Sequence, residues 1–220
     1  MSSAFRRFLI VVSLLAAPIA AAGPGAAMAQ GAVQQSFFNT HEVERNNLTP
    51  FPKWTGMLER HLRETRTIPG SCKPTPITRC RWEDWMHFLD SIRSRDFSTQ
   101  MDAVNRYMNQ HKYVLDIVNW AVEDYWATPY EFLRVDGDCE DFAIAKFISL
   151  RLLGHENAKM RIVVLQDLNL RIPHAVLIVS LNDRFWVLDN QIPQVVDATS
   201  IRHYRPIYSV DEKHWWLHKP

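Results

Sequence analysis

The chain has 220 residues, enough for one domain of ordinary size, and a formal net charge of +1. Its 25 Lys and Arg are balanced by 24 Asp and Glu with no basic block, so the electrostatic footprint of a nucleic-acid binder is missing. Hydrophobic residues make up 47% of the chain and include eight Trp, which argues against a disordered protein and for a packed core.

Residues 1–29 read as a removed secretory signal. MSSAFRR carries two arginines and no acid, FLIVVSLLAAPIAAA is an apolar run, and Ala27-Met28-Ala29 is a small-residue cleavage pattern before Gln30. The run is too short to span a bilayer and is broken by Pro18 and Pro24. Removing these 29 residues leaves 191, with 23 basic and 24 acidic side chains, a net charge of −1. No other stretch is long and apolar enough to span, so an exported chain without membrane insertion is expected.

Residues 30–50 are polar and unpatterned and read as a loosely attached N-terminal arm; residues 51–220 read as a single domain. In FPKWTGMLERHLRE, Trp54, Leu58 and Leu62 recur every four residues and predict an amphipathic helix. SCKPTPITRC follows, with Cys72 and Cys80 eight apart. Export implies an oxidising compartment, so a Cys72–Cys80 bridge is expected, worth about 2 kcal/mol on loop-entropy grounds. That pairing leaves Cys139 odd: either a buried inert thiol or one kept for chemistry.

WEDWMHFLDSIRS repeats Trp82, Trp85, Leu89 and Ile92 at helical spacing, and Ser98 is the expected cap of a helix lined by Met101, Val104 and Met108. These stripes read as core. Residues 113–134 are ambiguous and interrupted by Pro129, so short pieces and a loop are expected. Residues 139–153 predict a helix with Ala143, Phe147 and Leu150 on one stripe and Gly154 as its stop. MRIVVLQDL, HAVLIVSL, RFWVLDN and a weaker HYRPIYSV then read as strands. Helices followed by an antiparallel sheet predict an α+β fold. His214 and His218, four apart in HWWLH, would share a face if that stretch were helical, but no third metal ligand stands out; it reads as an aromatic packing segment.

Chemistry concentrates in VDGDCEDFAIAKF. Cys139 opens a helix, where unpaired N–H groups and the macrodipole favour a thiolate. Asp136, Asp138, Glu140 and Asp141 oppose it, since like charges disfavour ionisation. The ordinary alternative is an acidic first turn with a turn at Gly137-Asp138. His174 opens the apolar strand HAVLIVSL, and Asp189 ends FWVLD. A four-residue loop at 180–183 would oppose the two directly. A two-residue Asn182-Asp183 turn would leave them one diagonal step apart on the same face. An acid beside a histidine can hold its tautomer and stabilise the imidazolium.

GDCEDFAIAKFISLRLLG, then HAVLIV 35 residues after Cys139, then WVLDN, with DYWATPYEFL upstream, resembles the bacterial transglutaminase-like cysteine proteinases of the LapG-like group. The resemblance covers roughly residues 100–190 well and the N-terminal helices loosely. It implies a papain/transglutaminase-like fold and a periplasmic cysteine endopeptidase, with Cys139 as nucleophile, His174 as general base and Asp189 as orienting acid. It also implies calcium beside the nucleophile, for which Asp138, Glu140 and Asp141 offer hard oxygen ligands. The implied substrate is a large surface adhesin, under control of a membrane-bound cyclic-di-GMP receptor. One departure is Ala175 after the histidine, where a larger residue such as Met is expected. Two other functions remain open: an amidase or transglutaminase-type acyl transferase on the same triad, and a non-catalytic binding module that keeps the fold.

Overall fold

The computed structural model describes residues 36–67 and 80–220. Cys72 and the whole of segment 1–29 lie outside them, so the expected Cys72–Cys80 bridge and signal fall outside the described residues; Cys139 is a free cysteine. No helix among the described residues is long and apolar enough to cross a membrane.

The architecture is α+β. Among the described residues six helices, α1 (Pro52–Thr67), α2 (Arg81–Ile92), α3 (Phe97–Met108), α4 (Asp116–Asn119), α5 (Pro129–Val135) and α6 (Cys139–Leu152), accompany a seven-stranded sheet. Its strands are β1 (His41–Arg45), β2 (Met160–Asp167), β3 (Ile172–Leu181), β4 (Arg184–Leu188), β5 (Val196–Asp197), β6 (Tyr204–Val210) and β7 (Trp215–Lys219). The order is β1-β7-β6-β2-β3-β4-β5, with every pairing antiparallel.

The period-2 pattern sorts β2, β3 and β4 between two cores. Ile162, Leu177, Val179 and Leu188 pack with the helices, while Val163, Leu165, Val176, Ile178 and Val187 form a second cluster with Phe37 and Tyr204. Between helices and sheet lies α6, whose residues from Glu140 to Leu150 are all buried. Such a helix has no polar face to spare, and its Cys139 end is correspondingly fixed. Gly154, with φ at +97°, ends it by adopting the left-handed conformation that glycine allows.

Several local expectations are revised. The cap of α3 is Asp96, which accepts the Thr99 N–H at 3.0 Å, rather than Ser98; its carboxylate reaches the N3 amide from two residues before Ser98. The buried face of α1 is Trp54, Met57 and His61, and Leu62 is 58% exposed, because a 3.6-residue period drifts away from a strict four-residue repeat. Pro129 starts α5 as its first residue, capped by Thr128 in a reciprocal box with Glu131. Trp215–Lys219 is a strand and His214 lies before it, so His214 and His218 do not share a helical face.

The supposed arm also contributes structure. Residues 41–45 pair with β7, and His218 ties that edge down: its Nδ1 meets Thr40 Oγ1 at 2.9 Å and its Nε2 meets Ser209 Oγ at 2.9 Å. Burial, with the nearby Arg161 charge, brings the His218 pKa down to about 4. Between that value and its ordinary 6.5, the unfolded chain takes up a proton that the folded one refuses. Stability is therefore lost as pH falls from about 6.5 towards 4, by up to roughly 3 kcal/mol. His218→Gln should be less stable at neutral pH yet lose less on acidification, so the wild-type-minus-variant difference in chemical unfolding should shrink over that range. A difference independent of pH would refute this role.

Candidate active site

The turn before Cys139 is assembled by the segment that periodicity could not parse. Tyr113 bridges Gly137, and Val114 N–H donates to the Gly137 carbonyl at 2.8 Å. Asn119 Nδ2 donates to the Asp136 carbonyl at 3.2 Å. Asp136 sits at φ +63°, and its Oδ1 accepts from Arg81 at 2.9 Å and bonds His111 Nδ1 at 2.8 Å. A left-handed aspartate is uncommon, and these partners hold it there. Gly137 has no room for a side chain, since a Cβ would lie 2.8 Å from Asp141 Cβ. Asp141 spans the turn: Oδ1 accepts the Ala127 N–H at 2.7 Å and Oδ2 the Asp138 N–H at 3.3 Å.

Cys139 follows, half-buried, at the first position of α6. Its Sγ is 3.2 Å from Glu140 Oε2 and within reach of the Ala175 N–H on β3, next to His174. Burial pushes the thiol well above its ordinary pKa; Glu140 and Asp138 add to this, and the Ala175 amide opposes it.

His174 and Asp189 come together as register predicts. Leu181 pairs Arg184 across a turn whose Asn182 and Asp183 both have positive φ, +54° and +57°. Continuing the register from Leu177–Leu188 puts Asp189 opposite Val176, one diagonal step from His174. His174 Nε2 is 2.9 Å from Asp189 Oδ1, and both residues are buried. Sequence reasoning did not reach the other Asp189 partners. Tyr204 hydroxyl donates to Oδ2 at 2.6 Å, Gln191 N–H donates to Oδ1 at 2.8 Å, and Asn109 Nδ2 holds the Asp189 carbonyl at 2.8 Å. Burial works against the Asp189 charge, but the His174 bond and charge, then Tyr204 and Gln191, outweigh it and keep the carboxyl below the usual range. Gln191 Nε2 lies 3.4 Å from His174 Nδ1.

The three acids expected as cation ligands gather with two more. Oxygens of Asp116, Asp138 and Asp141 lie within 4.8 Å of one another, as do those of Asp116, Asp124 and Glu140. Asp116 and Asp124 lie in the ambiguous stretch 113–134, and no spacing rule connects them to Asp138. Asp116 Oδ1 and Asp138 Oδ1 are buried without hydrogen-bond partners. Burial raises Asp116 to about 6 and, with Asp138, raises Glu140 to about 10; Asp138 and Asp141 are raised as well, again mainly by burial. Orphaned carboxylate oxygens in a ring of hard donors are what a calcium-sized cation requires, so the residues fit such an ion.

The chain carries a family signature over about two thirds of its length. Residues 72–218 match the family model described as bacterial transglutaminase-like cysteine proteinase. The chain belongs to this family. It is therefore a cysteine peptidase of transglutaminase-like fold. It is similar to Legionella pneumophila LapG, with 29% identity, 73% of this chain and 87% of LapG covered, and a TM-score of 0.59. LapG treated with EGTA matches at 30% identity, with coverages of 74% and 86% and a TM-score of 0.60; calcium-bound LapG matches at 29%, with 73%, 87% and 0.59. No curated protein matches this chain.

Raised carboxylate pKa values mean that the folded, cation-free protein holds protons the unfolded chain releases. The contribution of these acids to stability should therefore fall as pH rises from about 4 through about 6, where Asp116 titrates, opposite in sign to the His218 contribution, and continue falling towards the Glu140 range. Calcium should raise Tm and flatten this dependence, because the carboxylates become charged at little cost when the ion is bound. Thermal melts of stripped and calcium-loaded protein across this range test it. Superimposed curves would show that the acids bind no calcium.

Proposed function

We propose that this protein is a calcium-dependent periplasmic endopeptidase with a Cys139–His174–Asp189 triad, exported by residues 1–29. Its substrate would be a large cell-surface adhesin-type protein, with processing restrained by a membrane-bound cyclic-di-GMP receptor, as the motif resemblance to the LapG-like group implies. The observation that carries the triad is the bonded chain from Tyr204 through Asp189 to His174 Nε2, with Cys139 Sγ beside the amide of the next residue, Ala175.

With Nε2–H donating to Asp189, the neutral imidazole presents Nδ1 as its basic nitrogen. His174 takes the Cys139 proton, and sulfur forms a bond to the scissile carbonyl carbon. The tetrahedral adduct collapses, the C–N bond breaks, and the imidazolium gives its proton to the departing amine. His174 then draws a proton from water, whose oxygen displaces Cys139 from the thioester and frees the acid product. Asp189, held by three donors, keeps the ring oriented and stabilises its cationic form. Asp116, Asp138, Glu140 and Asp141, with Asp124 at the rim, would hold calcium. When bound, the ion supplies positive charge that offsets the carboxylates acting against the thiolate.

Cys139→Ala should abolish cleavage of the cognate adhesin while Tm stays near wild type; residual cleavage would remove Cys139 from the mechanism. An added amine donor separates reaction classes, because its incorporation would indicate acyl transfer instead of hydrolysis. Tyr204→Phe should lower kcat by about tenfold with KM little changed, since it frees one Asp189 oxygen without touching substrate. Unchanged kcat would mean that Tyr204 only packs.

A further inference from the structure

We propose that Lys146 is a positioning residue that acts on Asp189 from inside the core; this rests on the triad reading above. Lys146 lies seven residues after Cys139 on α6, two helical turns along the same side. It is fully buried, and Nζ has no hydrogen-bond partner among the described residues. The Phe142 ring lies 5.8 Å from Nζ, and the charge that acts on this amine is the Asp189 carboxylate.

The surroundings are built around the segment that Asp189 opens. From α3, Asn109 holds the Asp189 carbonyl and Asn105 holds the Pro193 carbonyl at 3.1 Å. Asn105 Oδ1, Asn109 Oδ1 and Asn190 Oδ1 are buried and unpaired, as Nζ is. Three acceptors without partners therefore sit in or beside residues 189–193, and Lys146 Nζ, a donor without one, feels the Asp189 charge at the start of that segment. Asp189 is the titratable group whose charge acts on Lys146. A buried amine with no structural bond is a cost that a Met of similar length would avoid. Its consequence here is electrostatic: protonated, Lys146 offsets part of the Asp189 charge, and neutral, it leaves the whole charge acting on His174. Burial brings this amine down to about 7, with Asp189 opposing, so the change falls near neutrality.

The test uses calcium-loaded protein and the rate of Cys139 alkylation by iodoacetamide, followed by peptide mass spectrometry between about pH 5.5 and about 9. Lys146→Met should fold, with a Tm equal to or above wild type. Its rate near pH 7 should differ from wild type by about fivefold or more, and the inflection near neutrality should disappear. Lys146→Gln, which keeps a polar head without charge, should lose the same inflection and serves if Lys146→Met does not fold. A wild-type rate and profile in the folded variant overturns the proposal. His174→Ala and Asp189→Asn separate the two levels: if both slow alkylation while the Lys146 variants do not, only this proposal fails. If neither slows it, the triad reading fails and takes the proposal with it.

Discussion

Four carboxylates, Asp116, Asp138, Glu140 and Asp141, are packed around the first turn of α6, and the rest of the site is arranged around their charge. A helix N-terminus favours anions, but its partial charge is about half a unit, too little for four carboxylates. The protein accommodates one of them itself, Asp141, whose two oxygens close the turn onto Ala127 and Asp138. That cap is the reason position 137 is glycine, as any Cβ would press on Asp141. The remaining charge is left facing a thiol whose ionisation it suppresses.

Burial of α6 on all sides turns this local arrangement into a rigid one. Packing by α3, α5, β2 and β3 leaves the helix no freedom to move its first turn away from the sheet. The sheet supplies the rest by register alone. A two-residue turn with both central residues left-handed sets β3 against β4, and the diagonal pairing carries His174 to Asp189. One residue more or fewer in that turn would send Asp189 to the opposite face. Tyr204 arrives from β6, which is not a neighbour of β4 in the sheet, so the Asp189 clamp draws on both sides of the β2–β3 pair.

What could be read from the residues follows from this division. The place of Cys139 at a helix start and the pairing of His174 with Asp189 were legible because each stands at the end of a strongly periodic element, and the two strands are joined by a turn that leaves little choice of register. The central strands β2, β3 and β4 were legible for the same reason. Strands β1, β5 and β7 were not: β5 has two residues, and β1 is a short edge strand whose only partner, β7, lies at the far end of the chain, while β7 is a five-residue strand set between β1 and β6. Asp116 and Asp124 were beyond reach because a metal-type cluster is defined in space, and their segment is held by backbone bonds to Gly137 and Asp136 instead of by a repeat. Lys146 reads in the sequence as an ordinary polar position of an amphipathic helix; only the burial of that whole helix makes it unusual.

The two groups of buried carboxylates explain one another. Asp189 has as little water as Asp138, yet it stays ionised because His174, Tyr204 and Gln191 supply donors to its oxygens. Asp138 and Asp116 each retain an oxygen with no donor, and their pKa values rise. The same functional group is thus completed by protein in one place and left incomplete in the other. The completed carboxylate suits a permanent orienting role beside His174. The incomplete set suits a ligand from outside, and its position against Cys139 means that whatever neutralises it also relieves the thiol. In the proposed reading, cation dependence is therefore not an attachment to the catalytic apparatus. It follows from putting acids, needed to close the turn, in the one place where their charge works against the nucleophile.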